Sequence, residues 1–256
     1  MTPGIALIAV CACVSGELMA TGGNPARGVL VNLTVGAASN QPHDPSRPTV
    51  VFVHGFNPVP GFLHFTMGNR FSEAMARRWG AGFNVLAWDW NAATYVGLHA
   101  RRNEENCVRQ GYALADALRL AGVAPERVHL IGHSSGCIVA AAATQRLFAT
   151  GRGAVAQLTL LEPAEFYHDA VFERLAPWSS AQVVENYWAE GPSAFGKHAA
   201  YPGVRNWQVP TARPLLGVVS PVHSSHLEVL RWYFLTVEDP NCPAGFNASA
   251  LLAVSS

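Results

Sequence analysis

The ten residues from Arg127 to Gly136, RVHLIGHSSG, constrain this chain more than any other stretch. A run of strand formers meets Gly132, a serine follows between two glycines, and an alanine-rich segment begins at Gly136. That order predicts a buried strand, a sharp turn and a helix, with Ser134 at the turn. Such a turn crowds the backbone, so the positions two before and two after the serine must lack a β-carbon, while the serine is held outward in a strained conformation. The helix starts at the serine. Its first N–H groups and its dipole then point to where a negative charge beside the hydroxyl would develop, and the N–H of Ser135 is the natural donor to it.

Elsewhere, apolar runs bounded by turn residues alternate with longer segments of helical period, the pattern of a mostly parallel central sheet flanked by helices on both faces. The expected strands are Gly28 to Val35, Pro48 to His54, Asn84 to Trp88, Arg127 to Gly132, Gln157 to Leu161 and Val183 to Trp188. Helices are expected between them, notably Asn103 to Ala121 and the small-residue helix Gly136 to Leu147. The fold class is therefore α/β. At 256 residues with half of them hydrophobic, residues 21–256 read as one domain with a sizeable core. The 17 basic and 17 acidic side chains cancel, so no net field would draw a nucleic acid or an anionic membrane. Nothing in the sequence sets an oligomeric state.

Residues 1–20 carry an apolar run, Gly4 to Val14, too short to span a bilayer but of the size of a signal-peptide core, although no Lys or Arg precedes it. Secretion or export to a periplasm is the expectation, with a cytoplasmic protein beginning on a buried strand as the alternative. Removal of such a leader takes Cys11 and Cys13 with it. The three that remain, Cys107, Cys137 and Cys242, have no CxxC spacing, so neither a disulfide framework nor a zinc site is indicated; at most Cys107 and Cys242 are left to pair.

A second donor must share the oxyanion with Ser135. The segment Pro48 to Phe56, PTVVFVHGF, supplies it: a buried strand ends at His54-Gly55, the glycine allows close approach, and the Phe56 N–H is the candidate. His54 at a strand end is assigned to ordering this loop by hydrogen bonds, and His133 to packing or loop support.

From about Pro48 to Tyr233 the sequence resembles the α/β-hydrolases, and among them the pancreatic-type lipases and their phospholipase A1 relatives. The motifs are HGF at His54 to Phe56, AWDW ending at Trp90, HLIGHSSG at His129 to Gly136, LLEPAEF at Leu160 to Phe166 and SHLEVLRWY at Ser225 to Tyr233. In that family the HGF turn forms half the oxyanion hole, GHSxG carries the nucleophile, an LDPA turn carries the acid, and a histidine six residues before an aromatic pair is the base. The resemblance thus implies Phe56, Ser134, Glu162 and His226 in those roles. The family pattern has aspartate where this chain has Glu162; Glu190, beyond the next strand, and the nearby Glu165 and Asp169 are rival acids. His223 rivals His226 but stands three residues too early.

These roles imply a serine hydrolase that cleaves carboxylic, acyl or lipid esters through an acyl-enzyme, with no metal and no organic cofactor required. Phe62, Trp90 and Tyr167, near the strand ends where α/β sites lie, are candidates for an acyl pocket. Little room for a long lid exists between Trp188 and His223, and no lipid-binding sandwich domain is seen, so stable membrane insertion is not expected. A small-molecule or lipid ester of short to medium acyl length is the expected substrate. A non-catalytic binding protein on the same fold, or a peptidase or acyltransferase using the same serine, are the alternatives.

Overall fold

The inner strands arise where β-branched, aliphatic and aromatic residues predominate. In the computed structural model, which describes residues 27–56, 64–94, 100–163, 169–190, 195–210 and 225–254, seven strands form one sheet. They are β1 (Val29–Asn32), β2 (Thr49–Val53), β3 (Asn84–Asp89), β4 (Val128–His133), β5 (Val155–Leu161), β6 (Ala181–Trp188) and β7 (Val204–Gln208). Every residue of β2, β4 and β5 is buried, as expected of central parallel strands covered on both faces. The spatial order is β1-β3-β2-β4-β5-β6-β7, parallel throughout except for β1, which pairs antiparallel with β3.

Alternation along the strands divides the core in two. Val51, Val53, Leu130, Leu158 and Leu160 face α2 (Ala100–Leu120), α3 (Gly136–Ala149) and α4 (Asp169–Leu175). Val50, Phe52, Ile131 and Leu161 face α1 (His64–Trp79), α5 (Ser225–Leu235) and α6 (Ala250–Val254). The alanine run of α3 lies wholly inside, with Ala140 to Ala143 fully buried, because a helix of small side chains can sit close to both the sheet and α2. The α/β sheet with helices on both faces expected from the sequence is the fold observed.

Strand order fixes where a site can be. From β2 the chain moves to β3 on one side and returns to β4 on the other, so the carboxyl ends of β2 and β4 diverge into a crevice at a topological switch point. Gly55 and Ser134 both lie just past those ends.

Several boundaries differ from expectation. β7 is not anticipated by the sequence: VRNWQ is an edge strand, half-exposed, with Arg205 and Asn206 interrupting any apolar run. β1 stops at Asn32, whose side chain accepts the Thr34 N–H and donates to the Gln41 carbonyl, turning the chain before Val35. The three cysteines within the described residues, Cys107, Cys137 and Cys242, are all free, so Cys107 and Cys242 are not paired with each other. Residues 1–20, with the leader-like run, lie outside the described residues.

Behind β4, β5 and β6 runs a buried polar network that seats the C-terminal segment. His129 contacts Ser249 Oγ (2.9 Å) and Thr159 Oγ1 (2.8 Å), Gln157 accepts the Ala250 N–H, and the Tyr187 hydroxyl accepts the Gly245 N–H. Glu185, fully buried, accepts at Oε2 from Gln157 Nε2 and the Tyr187 hydroxyl. Burial pushes its carboxyl from 4.5 up to about 7, against smaller opposing effects of the Tyr187 hydroxyl and the Arg205 charge. With the folded value above the unfolded one, stability is full below about 4.5 and declines as pH rises towards 7. The same burial drives His129 down from 6.5 to about 3, which acts in the opposite sense over an overlapping range. The comparison with Glu185→Gln therefore isolates the carboxyl. We expect this variant to match wild type at pH 4 and to exceed it by on the order of 3 kcal/mol at pH 8, read from denaturant unfolding. Equal stability at both pH values would show that Glu185 carries no proton linkage.

Candidate active site

The turn after β4 is built as its glycines require. A β-carbon on Gly132 would lie 2.5 Å from the Gly136 carbonyl oxygen, and one on Gly136 would lie 2.4 Å from that of Val53. Between them Ser134 takes φ 54°, in the left-handed region that a residue with a β-carbon rarely adopts, at a strain on the order of 1–3 kcal/mol. The turn is held by the Ser134 N–H to the Leu161 carbonyl (3.0 Å) and the Cys137 N–H to the Ser134 carbonyl (3.0 Å). Gly55 seals the other side: a β-carbon there would stand 2.7 Å from that of Ser134 and 3.4 Å from its Oγ. The loop bearing Phe56 thus lies directly against the serine, and Phe56 itself is half-buried. Ser135 is helical (φ −59°, ψ −24°) and immediately precedes α3, so the two candidate oxyanion donors are the residue that follows Ser134 and, through Phe56, the residue that follows Gly55.

One strand further along, Glu162 repeats the device. It follows β5 with φ 49°, and its side chain is fully buried. A carboxylate removed from water needs acceptor bonds to compensate, and three main-chain donors meet it: Ala189 N–H at Oε1 (2.7 Å), and Phe195 and Gly196 N–H at Oε2 (2.8 and 3.0 Å). His226, in the first turn of α5, brings Nδ1 to the same Oε2 at 3.3 Å. Since that oxygen is an acceptor, Nδ1 carries the proton, and the lone pair of the neutral ring is on Nε2, the nitrogen suited to act as a base. The ring of His226 contacts two others, His133 at 4.6 Å and Phe195 at 4.7 Å between centroids.

The structure therefore brings Glu162 and His226 together beside the Ser134 turn. Glu190 lies just beyond β6 and is exposed. Glu165, His223, Phe62 and Tyr167 lie outside the described residues, and Asp169 opens α4. Trp90 is corrected from pocket to interior: its indole is 2% exposed and donates to the His54 carbonyl at 2.8 Å, because a ring this large at the end of β3 is drawn under the loop after β2. His54 completes that brace, with Nδ1 bonded to the Gly55 carbonyl (2.8 Å) and Nε2 accepting the Trp90 N–H (3.2 Å). The strap Phe195-Gly196 escapes sequence reasoning, since main-chain donors leave no side-chain signal. Its only trace is Gly196, where a β-carbon would come within 2.9 Å of Glu162 Oε1.

Among the described residues no helix is long and apolar enough to cross a membrane, and no cluster of three or more His, Cys, Asp or Glu could hold a metal ion. Residues 19–188, 170 of the 256, match the family model described as Lipase; that span includes Ser134 and Glu162 and stops before His226. No curated protein matches the sequence. Among solved structures, the chain is similar to a thermophilic carboxylesterase cloned from a metagenomic library (17% identity, covering 95% of this chain and 99% of that one, TM-score 0.46). It is also similar to a predicted CIB-like hydrolase from Thermoplasma acidophilum (16%, 77% and 87%, TM-score 0.44) and a hyperthermophilic esterase from Pyrobaculum calidifontis (14%, 100% and 100%, TM-score 0.42).

Proposed function

The chain belongs to the lipase family and is a carboxylic ester hydrolase, and from that premise we propose that it acts as a serine esterase through Ser134, His226 and Glu162. The observation that carries this reading is the 3.3 Å contact of His226 Nδ1 with the buried Glu162 carboxylate, beside a serine held at φ 54°. His226 Nε2 takes the proton of Ser134 as its Oγ attacks the ester carbonyl carbon. The oxyanion that forms accepts from the N–H groups of Ser135 and Phe56. His226 then returns the proton to the leaving alcohol, giving an acyl-Ser134, and activates the water that releases the acid. Glu162 holds the ring in one tautomer and stabilises the imidazolium between these transfers.

The substrate we assign is an ester of short to medium acyl length, acted on outside the cytoplasm, as the leader-like run of Gly4 to Val14 suggests. The test uses p-nitrophenyl acetate, butyrate, octanoate and palmitate with purified protein, together with a fluorophosphonate label mapped by peptide mass. We expect kcat/KM to peak at butyrate or octanoate and the label to sit on Ser134. A maximum at palmitate would make the protein a long-chain lipase, and a label on another residue would overturn the nucleophile.

A further inference from the structure

Resting on that reading, we infer that His133, the residue before the serine, is a positioning residue that locks the catalytic histidine in place through its main chain. His133 is 1% exposed, and its Nε2 lies 3.1 Å from the carbonyl oxygen of His226. A carbonyl can only accept, so His133 Nε2 bears the proton and donates. The bond is unusual in what it joins. One end is the last residue of β4, fixed by the sheet pairing of His133 with Leu161; the other is the first turn of α5, an element from the far end of the chain.

Burial of Val229, Leu230 and Tyr233 seats α5 on the sheet, and Glu162 adds a contact to the His226 side chain at a distance near the long limit for a hydrogen bond. Glu162 fixes which way the ring turns. The His133 bond ties the backbone that carries the ring to the end of β4, and the two imidazoles also meet at 4.6 Å, tilted by 37°. Phe195 also meets the ring edge-on at 84°, while its own N–H holds Glu162. The imidazole is thus contacted by His133 at the end of β4, Glu162 just past β5 and Phe195 after β6. The placement also explains the choice of histidine next to the nucleophile: the side chain must be flat enough to pack on another imidazole and must carry a donor at the reach of Nε2.

A group that only positions another should change kcat more than KM, and should be replaceable by a side chain that delivers the same donor. Glutamine places its amide nitrogen near the position of imidazole Nε2, asparagine falls short of it, and leucine has no donor. Steady-state kinetics on p-nitrophenyl butyrate are therefore compared for wild type, His133→Gln, His133→Asn and His133→Leu, with Ser134→Ala as the reference. We expect kcat to fall roughly 10- to 100-fold in the Leu and Asn variants, the scale for a displaced catalytic group, with KM little changed, and most of the loss to be restored in the Gln variant. If the Leu variant does not fold, the contrast between Gln and Asn decides. Equal kcat in Gln and Asn, or kcat near wild type in Leu, overturns the positioning role while the inactive Ser134→Ala leaves the nucleophile standing. Activity in Ser134→Ala removes the premise and this inference with it.

Discussion

Ser134→Ala is expected to lower kcat for p-nitrophenyl butyrate by roughly a millionfold, with a residue of about a thousandfold over the uncatalysed reaction left by the oxyanion donors and binding. The size follows from the roles. Without Oγ there is no covalent intermediate, so His226 and Glu162 lose the group they act on and their contributions vanish together. The fold should be untouched. Alanine keeps the β-carbon that already tolerates φ 54°, and the bonds that shape the turn, Ser134 N–H to Leu161 and Cys137 N–H to the residue 134 carbonyl, are main-chain. Thermal unfolding should therefore coincide with wild type, which separates loss of chemistry from loss of structure. Hydrolysis within about tenfold of wild type would mean that another residue attacks the ester.

That serine was readable because its signal is local. Gly132, Ser134 and Gly136 must satisfy one turn, and their crowding against the Gly136 and Val53 carbonyls is the physical content of the spacing. The central strands were equally readable, since β2, β4 and β5 are buried on both faces and must be apolar throughout. β7 escaped because an edge strand buries only part of itself, so Arg205 and Asn206 break no rule there. Trp90 was misplaced because a large aromatic near a strand end reads the same whether it lines a cleft or closes a loop, and only the His54 carbonyl beneath it distinguishes the two. The acid lay between these cases. Residues 160–163 announce a strand end, but what makes the carboxylate usable there is the donor set of Ala189, Phe195 and Gly196, supplied by backbone that a sequence does not display.

The largest effect after the serine is expected at that carboxylate: Glu162→Gln should lower kcat by on the order of ten thousandfold, the loss seen when the acid of such a triad becomes an amide, while Glu190→Gln changes it little. An amide has one acceptor where the site presents four donors, three N–H groups and His226 Nδ1–H. If the amide oxygen stays at the Oε2 position, the new NH2 faces the Ala189 N–H; if it turns, the NH2 faces Phe195, Gly196 and the imidazole, which can then bond only as the wrong tautomer. Either arrangement strands a buried donor at about 1–3 kcal/mol, so some stability is lost as well. Glu162→Asp separates the two effects. It keeps the charge and both acceptors but gives up a methylene of reach, so it should retain far more kcat than the amide even if its melting temperature falls as much. Should Glu190→Gln carry the ten thousandfold loss and Glu162→Gln remain active, the acid would be Glu190, and the contact between Glu162 and His226 would be a brace for α5 and no part of the chemistry.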